Sequence, residues 1–141
     1  MLQAPRQLQA RSLPSMKLQP DTSPVQTISG YGPGWIAVAG ERFGYSLVLS
    51  SAGKRFDWQC PRFEALTPAH FSRLSALGAE LVLFGSGERL RFPPPAWLVP
   101  LMQQRMGVET MDTRAACRTY NILAGEGRNV VLAALLELTS G

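Results

Sequence analysis

Between Thr67 and Leu138 the spacing of apolar residues alternates between helical and extended, and this alternation constrains the fold more than any single motif does. Thr67-Pro68 reads as an N-cap followed by proline at the first helical position; Phe71, Leu74 and Leu77 then share one face, and Gly78 stands where a helix ends. Glu80 to Phe84 reads as a strand buried on both sides, followed by Gly85-Ser86-Gly87 and a short return through Leu90 and Phe92. Pro93-Pro94-Pro95 leads into a second helix, in which Pro100 demands either a kink or a turn over 96–99 with the regular helix beginning at Pro100. Gly107 is expected to close that helix, Val108 to Met111 forms a brief strand, and Asp112-Thr113 caps a third helix. On it Ala116, Cys117, Tyr120, Leu123 and Ala124 fall on a core face, while Arg114, Arg118 and Asn121 line a polar one. Gly125-Glu126-Gly127-Arg128 turns the chain into a last strand, Asn129 to Leu138. Helix and strand alternating three times imply a largely parallel sheet with helices packed on it.

The residues before Thr67 follow another rule. VQTISGYG, GWIAVAGERF, YSLVLSS and KRFDWQC are short strand-like runs, broken at Gly32-Pro33-Gly34 and Ser51-Ala52-Gly53. Alternation in Trp35, Ala37/Val38 and Phe43, and in Tyr45, Leu47 and Leu49, predicts half-buried antiparallel strands forming a β-meander. Residues 1–24 carry Gln and Pro in place of an apolar period and read as a disordered tail, leaving 25–141 as a single domain. The tail's Arg6, Arg11 and Lys17 suggest an organellar leader, but Pro14 interrupts the amphipathic helix that such a leader needs.

Composition excludes several functions. Of 141 residues, 45% are hydrophobic, yet no apolar run approaches the ~20 residues of a membrane-spanning helix. Two cysteines, Cys60 and Cys117, and a single histidine, His70, do not make a zinc site. A reducing, cytoplasmic setting is the expectation. The formal net charge of +4 includes three basic residues in the tail, and no basic stripe marks the rest, so nucleic acid is not the expected partner. Gly85-Ser86-Gly87 lacks the third glycine of a dinucleotide fingerprint, since Leu90 takes its place, and reads as a tight turn at the carboxyl end of a strand. Cys117 lies among apolar neighbours in helical phase and reads as core, and His70 reads as a solvated helix edge. Asp112 is accounted for by a helix N-terminus and Glu126 by a turn. No catalytic residues, metal ligands or cofactor are assigned.

The run Met111-Asp112-Thr113-Arg114-Ala115-Ala116-Cys117-Arg118-Thr119-Tyr120-Asn121-Ile122-Leu123 continues through Glu126, Arg128 and Val130. With Gly30-Tyr31-Gly32-Pro33-Gly34 and Leu83-Phe84-Gly85-Ser86-Gly87 followed by prolines, it closely resembles the Mth-type family of small α/β domains of unknown function. The resemblance covers roughly Met16 to Leu138, which makes Met16 a candidate natural start. Eukaryotic relatives include a mitochondrial factor for assembly of respiratory complex I and an adipogenesis-associated protein. The resemblance implies a three-layer α/β fold, a mixed central sheet flanked by helices with an N-terminal antiparallel β-meander, and no established catalytic residues. The family's recurring polar positions match Thr113, Asn121, Glu126 and Arg128, with Arg118 typical of bacterial relatives, and its glycine turn matches Gly85 and Gly87.

On physical grounds Asn121 is suited to satisfy backbone groups of a neighbouring loop, and Glu126 with Arg128 to form an ion pair at the helix-to-strand turn. Two functional readings follow. One is a non-catalytic protein-interaction or assembly-factor-like module with an unidentified protein partner. The other is a small-molecule or anion-binding domain, even an enzyme, using the Gly85 loop and the N-terminus of the Thr113 helix, where free N–H groups attract a small anionic ligand.

Overall fold

The computed structural model describes residues 26–137; the proposed tail over 1–24 lies outside them. In chain order the elements are β1 (Ile28–Gly32), β2 (Trp35–Val38), β3 (Glu41–Phe43), β4 (Leu47–Ser50), β5 (Arg55–Asp57), α1 (Pro68–Ser72), β6 (Leu81–Gly85), α2 (Val99–Gln103), β7 (Gly107–Met111), α3 (Thr113–Gly125) and β8 (Val130–Ala134). Strands β1, β2 and β3 form an antiparallel sheet, and the other five form a mixed sheet in the order β5-β4-β8-β6-β7. The helix–strand alternation works as expected: β6 pairs in parallel with both β7 and β8.

The expected meander is divided between the two sheets. GWIAVAGERF is two strands, because Ala39 and Gly40 both take positive φ (50° and 89°) in a two-residue turn joining paired Val38 and Glu41. Alanine is no turn residue, so only tertiary context reveals this break. β4 then leaves the small sheet to pair antiparallel with β8, Leu47 opposite Ala134 and Leu49 opposite Leu132. The half-buried reading of β4 is corrected too: Leu47, Val48, Leu49 and Ser50 are all buried. Leu47 and Leu49 join one core, Val48 the other.

Those two cores make three layers. On one face of the central sheet, Leu83 and Leu132 pack against Ala116, Cys117 and Tyr120 of α3 and against Ile36 and Val38 of the small sheet. On the other face, Val82, Phe84 and Val131 pack against Phe71 of α1, Leu101 of α2 and Trp58. Trp58, Phe71 and Phe84 meet edge to face, with centroids 5.3–5.9 Å apart. Each such fully buried side chain contributes roughly 1.5–3 kcal/mol.

Helix boundaries follow local chemistry, with two departures. α1 gives way to a 3-10 turn over Arg73–Leu77 before Gly78 enters the left-handed region at φ 65°. Pro95–Leu98 is likewise a 3-10 turn, and α2 starts at Val99 with Pro100 in its first turn, close to the second alternative drawn from Pro100. Gly107 does not close α2. It is the first residue of β7, and the left-handed residue after the helix is Arg105, at φ 60°. Leu90 and Phe92 form no strand and are exposed, while regular β8 pairing ends at Ala134, short of the expected Leu138.

Candidate functional site

The carboxyl ends of β6 and β8 meet the N-terminus of α3, and a dense set of hydrogen bonds closes this junction. Gly85 is required by proximity: a Cβ there would lie 2.9 Å from Thr113 Cα and 3.2 Å from Ala116 Cβ, so any side chain would lift α3 off the sheet. Gly87 is required by conformation, at φ 104°. The Thr113 hydroxyl donates to the Leu135 carbonyl at 2.7 Å and accepts the Gly87 amide at 2.9 Å. The Thr113 amide in turn donates to the Gly87 carbonyl at 2.9 Å. Asp112 caps the helix by accepting the Ala115 amide at 2.9 Å. Three of the amides expected to greet an anion, those of Gly87, Thr113 and Ala115, are therefore already engaged within the protein.

Around this knot lie residues that carry no sequence signal of their own. Ser86 is fully buried; its hydroxyl donates to the Arg89 carbonyl and accepts the Arg91 amide. Arg91 pairs with Glu137, which also accepts the Phe63 amide at 2.9 Å, and the guanidinium stacks 4.6 Å from the Phe63 ring centroid. Burial pushes the Glu137 carboxyl up, but the bonds from Arg91 and the Phe63 amide outweigh it and hold the group below its ordinary value. Ser46, also buried, joins the Cys60 carbonyl to the Leu136 amide through its hydroxyl. A serine beside an apolar run is the only hint that the sequence offers for either serine.

A cleft of about 50 Å³ opens beside the knot, lined by Tyr31, Pro33 and Trp35 from the first hairpin and by Gly87, Thr113 and Glu137. Space of that size holds a few waters, at roughly 10–15 Å³ each. Trp35 lies flat on the hairpin: a Cβ at Gly32 would sit 2.5 Å from its Nε1, and Arg42 stacks 3.8 Å from the ring centroid on the indole.

The polar face of α3 is directed at the small sheet. Asn121 clasps Ile28, its Oδ1 accepting the backbone amide and its Nδ2 donating to the carbonyl, both at 2.8 Å; the backbone it satisfies belongs to a strand and not to a loop. Exposed Arg118 donates to the Tyr31 hydroxyl at 3.1 Å, and Tyr120 donates to the Gln26 carbonyl at 2.7 Å. Thr113, Gly85 and Gly87 are thus brought together, with Arg118 and Asn121 further along the same helix. Glu126 and Arg128 lie past its far end, about 20 Å from Thr113 at 1.5 Å per residue, and do not join them. Nor does Arg128 pair with Glu126. It donates to Glu80 at 3.2 Å, because Gly127 (φ 82°) turns the chain back over the start of β6. The bond from Arg128, and after it one from the Asn129 amide at 3.2 Å, hold the Glu80 carboxyl below its ordinary value.

Cys117 is fully buried, and burial pushes its thiol up to about 12. Cys60 is buried in the opposite core, and both thiols are free. His70 does more than edge a helix: its Nδ1 accepts the Thr67 amide at 3.1 Å and its Nε2 lies 3.2 Å from the Gln59 carbonyl. Among the described residues no group of three or more His, Cys, Asp or Glu is placed to hold a metal ion, and no helix is long and apolar enough to cross a membrane.

Fold and site together define a small three-layer α/β domain whose strand-end junction is cross-tied by its own polar groups. The chain belongs to the family described as protein of unknown function (DUF498/DUF598), whose model matches residues 28–136. It is similar to a solved Bordetella pertussis protein described as a Mth938-like domain, at 30% identity and a TM-score of 0.73, covering 85% of this chain and 93% of that one. It is 32% identical to the Bos taurus NADH dehydrogenase (ubiquinone) 1 alpha subcomplex assembly factor 3, over 88% of this chain and 67% of the relative. A Francisella tularensis protein named 13 kDa major membrane protein is 31% identical over 62% of this chain and 72% of its own length. The Mth-type resemblance and the fold it implies are borne out.

Proposed function

We propose that the chain is a non-catalytic protein-interaction module of the assembly-factor kind, and that its docking face centres on Arg118 and Tyr31, with Arg114 alongside. One observation carries this reading: the hydroxyl of Thr113, the amides of Gly87 and Ala115 and the side chain of Asn121 are all engaged in holding the domain together, whereas Arg118 is fixed by Tyr31 yet exposed. A guanidinium held in one position loses less freedom on meeting a carboxylate of a partner. The assembly-factor name of the bovine relative supports the same reading. Two free thiols suit a reducing compartment, and the cytoplasm is the proposed location. The competing reading, a small anion at the N-terminus of α3, draws on the arginine at 114 and on the capped helix end.

Arg118→Ala tests the proposal. The variant is expected to fold, shifting stability by no more than about 1 kcal/mol as exposed charges do, and to lose crosslinking to the protein partners that the unsubstituted chain captures. Unchanged capture would overturn the docking face.

A further inference from the structure

A strand at the end of a sheet presents N–H and C=O groups with no ladder partner, and folds ordinarily blunt such edges. The two sheets end in β1 and β3, and in β5 and β7. β3 and β5 have three residues each and carry charges, Glu41 and Arg42 on one, Arg55 and Asp57 on the other. The outer edge of β1 is engaged by Asn121, which holds both the amide and the carbonyl of Ile28. β7 is blunted by none of these. It runs five residues, Gly107-Val108-Glu109-Thr110-Met111, in unbroken register with β6, and contains no lysine, proline or bulge. Its bonding direction follows from its two ends. The Gly107 amide donates to the Glu80 carbonyl and the Met111 carbonyl accepts the Ser86 amide, so residues 107, 109 and 111 bond to β6, and Val108 and Thr110 turn their backbone groups away from it. Among the described residues no hydrogen bond reaches those four outward groups. Between them stands exposed Glu109, with no cation within salt-bridge distance among the described residues.

We propose that β7 takes up an added antiparallel strand from a partner protein, a segment in which a lysine or arginine between two apolar residues lies opposite Glu109. Val108 and Thr110 each exchange two backbone bonds with the added strand, four in all. The residue between those two pairs then faces Glu109 at the closer kind of cross-strand site, where Cα atoms lie ~4.5 Å apart. A cation there meets the carboxylate, whereas an acid is repelled. The residues flanking that cation lie on the same face of the sheet as Val108, which packs against the core of α1 and α2, so apolar side chains suit them. A second copy of this chain fits badly. The one self-pairing that uses all four groups sets Glu109 against Glu109. Pairing Val108 with Val108 instead brings Thr110 to Met106, whose amide is already given to the Leu101 carbonyl. Pairing Thr110 with Thr110 brings Val108 to Asp112, whose carbonyl already accepts the Ala116 amide. Glu109 therefore opposes self-pairing and selects a basic partner strand. The edge is separate from the Arg118 face, where α3 meets β1 of the other sheet.

The full chain is titrated with an acetylated, amidated pentapeptide of threonine, valine, lysine, valine and threonine, and followed by amide NMR and hydrogen exchange. The expected result is saturable shifts centred on Val108 to Thr110, slowed exchange of the Val108 and Thr110 amides, and weakening by salt. A second peptide with glutamate in place of the lysine is expected to bind about threefold or more weakly. Glu109→Lys, altered at an exposed side chain and checked for an unchanged melting temperature, is expected to reverse that order. The comparison of the two peptides on the unsubstituted chain decides by itself where this variant does not fold. Arg118→Ala is expected to bind both peptides as the unsubstituted chain does, which keeps this test apart from that of the Arg118 face. Four outcomes would overturn the proposal: no saturable shift at Val108 and Thr110, equal binding of the two peptides, an order that Glu109→Lys leaves unchanged, or protection of those two amides that rises with protein concentration in the absence of peptide, which would make β7 a contact between copies.

Discussion

Thr113→Val removes one hydroxyl and almost no volume, which isolates the bonds that tie α3 to the sheet. The hydroxyl donates to Leu135 at 2.7 Å and accepts from Gly87 at 2.9 Å, in a side chain only 8% exposed. Valine leaves both the Gly87 amide and the Leu135 carbonyl without the hydroxyl that pairs them. A buried backbone group left without a partner costs about 1–3 kcal/mol, the lost bond included. Taking the lower half of that range for each of the two groups, because the loop retains the bond from the Thr113 amide to the Gly87 carbonyl, the expected loss is about 2–4 kcal/mol. For a domain of this size, at about 4 °C per kcal/mol, the melting temperature should fall by roughly 8–16 °C. Thr113→Ser keeps the hydroxyl and should lose only about 1 kcal/mol of methyl burial. Calorimetry of the three proteins decides the matter. A valine variant melting within about 2 °C of the parent would refute the structural role and return Thr113 to the list of candidate ligand contacts.

Cys117→Ser places a hydroxyl in the apolar core and should cost on the order of 1–3 kcal/mol; the native thiol should resist iodoacetamide, and rapid labelling of the folded protein would contradict its place in the core. Glu137, whose folded carboxyl lies below its ordinary value, contributes stability that is present above the ordinary carboxylate range and lost as pH falls through the folded value. Glu137→Gln should flatten that acid limb and weaken the protein at neutral pH by roughly 1–3 kcal/mol, measured by urea unfolding across pH; an unchanged acid limb would show that Glu137 does not contribute to it. A chain begun at Met16 is expected to keep the melting temperature of the full chain, and a drop of several degrees would show that residues 1–15 pack on the domain.

What the sequence revealed depended on how local each signal is. Asp112-Thr113 and Thr67-Pro68 mark their helices because caps are chosen by bonds within one turn, and the double-sided apolar run from Leu81 to Phe84 marks β6 because both faces of the sheet are covered. The division of the β-meander between two sheets was not legible, since β4 is paired by β8, more than 80 residues later, and Ala39 resembles no turn residue. At the site, Gly85, Gly87, Thr113 and Asn121 stand out as residues, but their geometry reveals their work: a missing Cβ matters only where α3 crosses Gly85, and Asn121 matters because Ile28 lies beside it. The pairing of Arg128 was misread for the same reason. Glu126 is near in sequence, but the folded chain brings Glu80 closer.

The most direct test of a non-catalytic module with an internally tied site is native mass spectrometry of freshly purified protein, joined to an amide NMR titration with inorganic phosphate. The expected result is the bare chain mass and no shift at Gly85 to Gly87 or Thr113 to Ala115. A retained metabolite, or saturable phosphate-induced shifts at those amides that Thr113→Ser preserves, would contradict it and make the junction a ligand site.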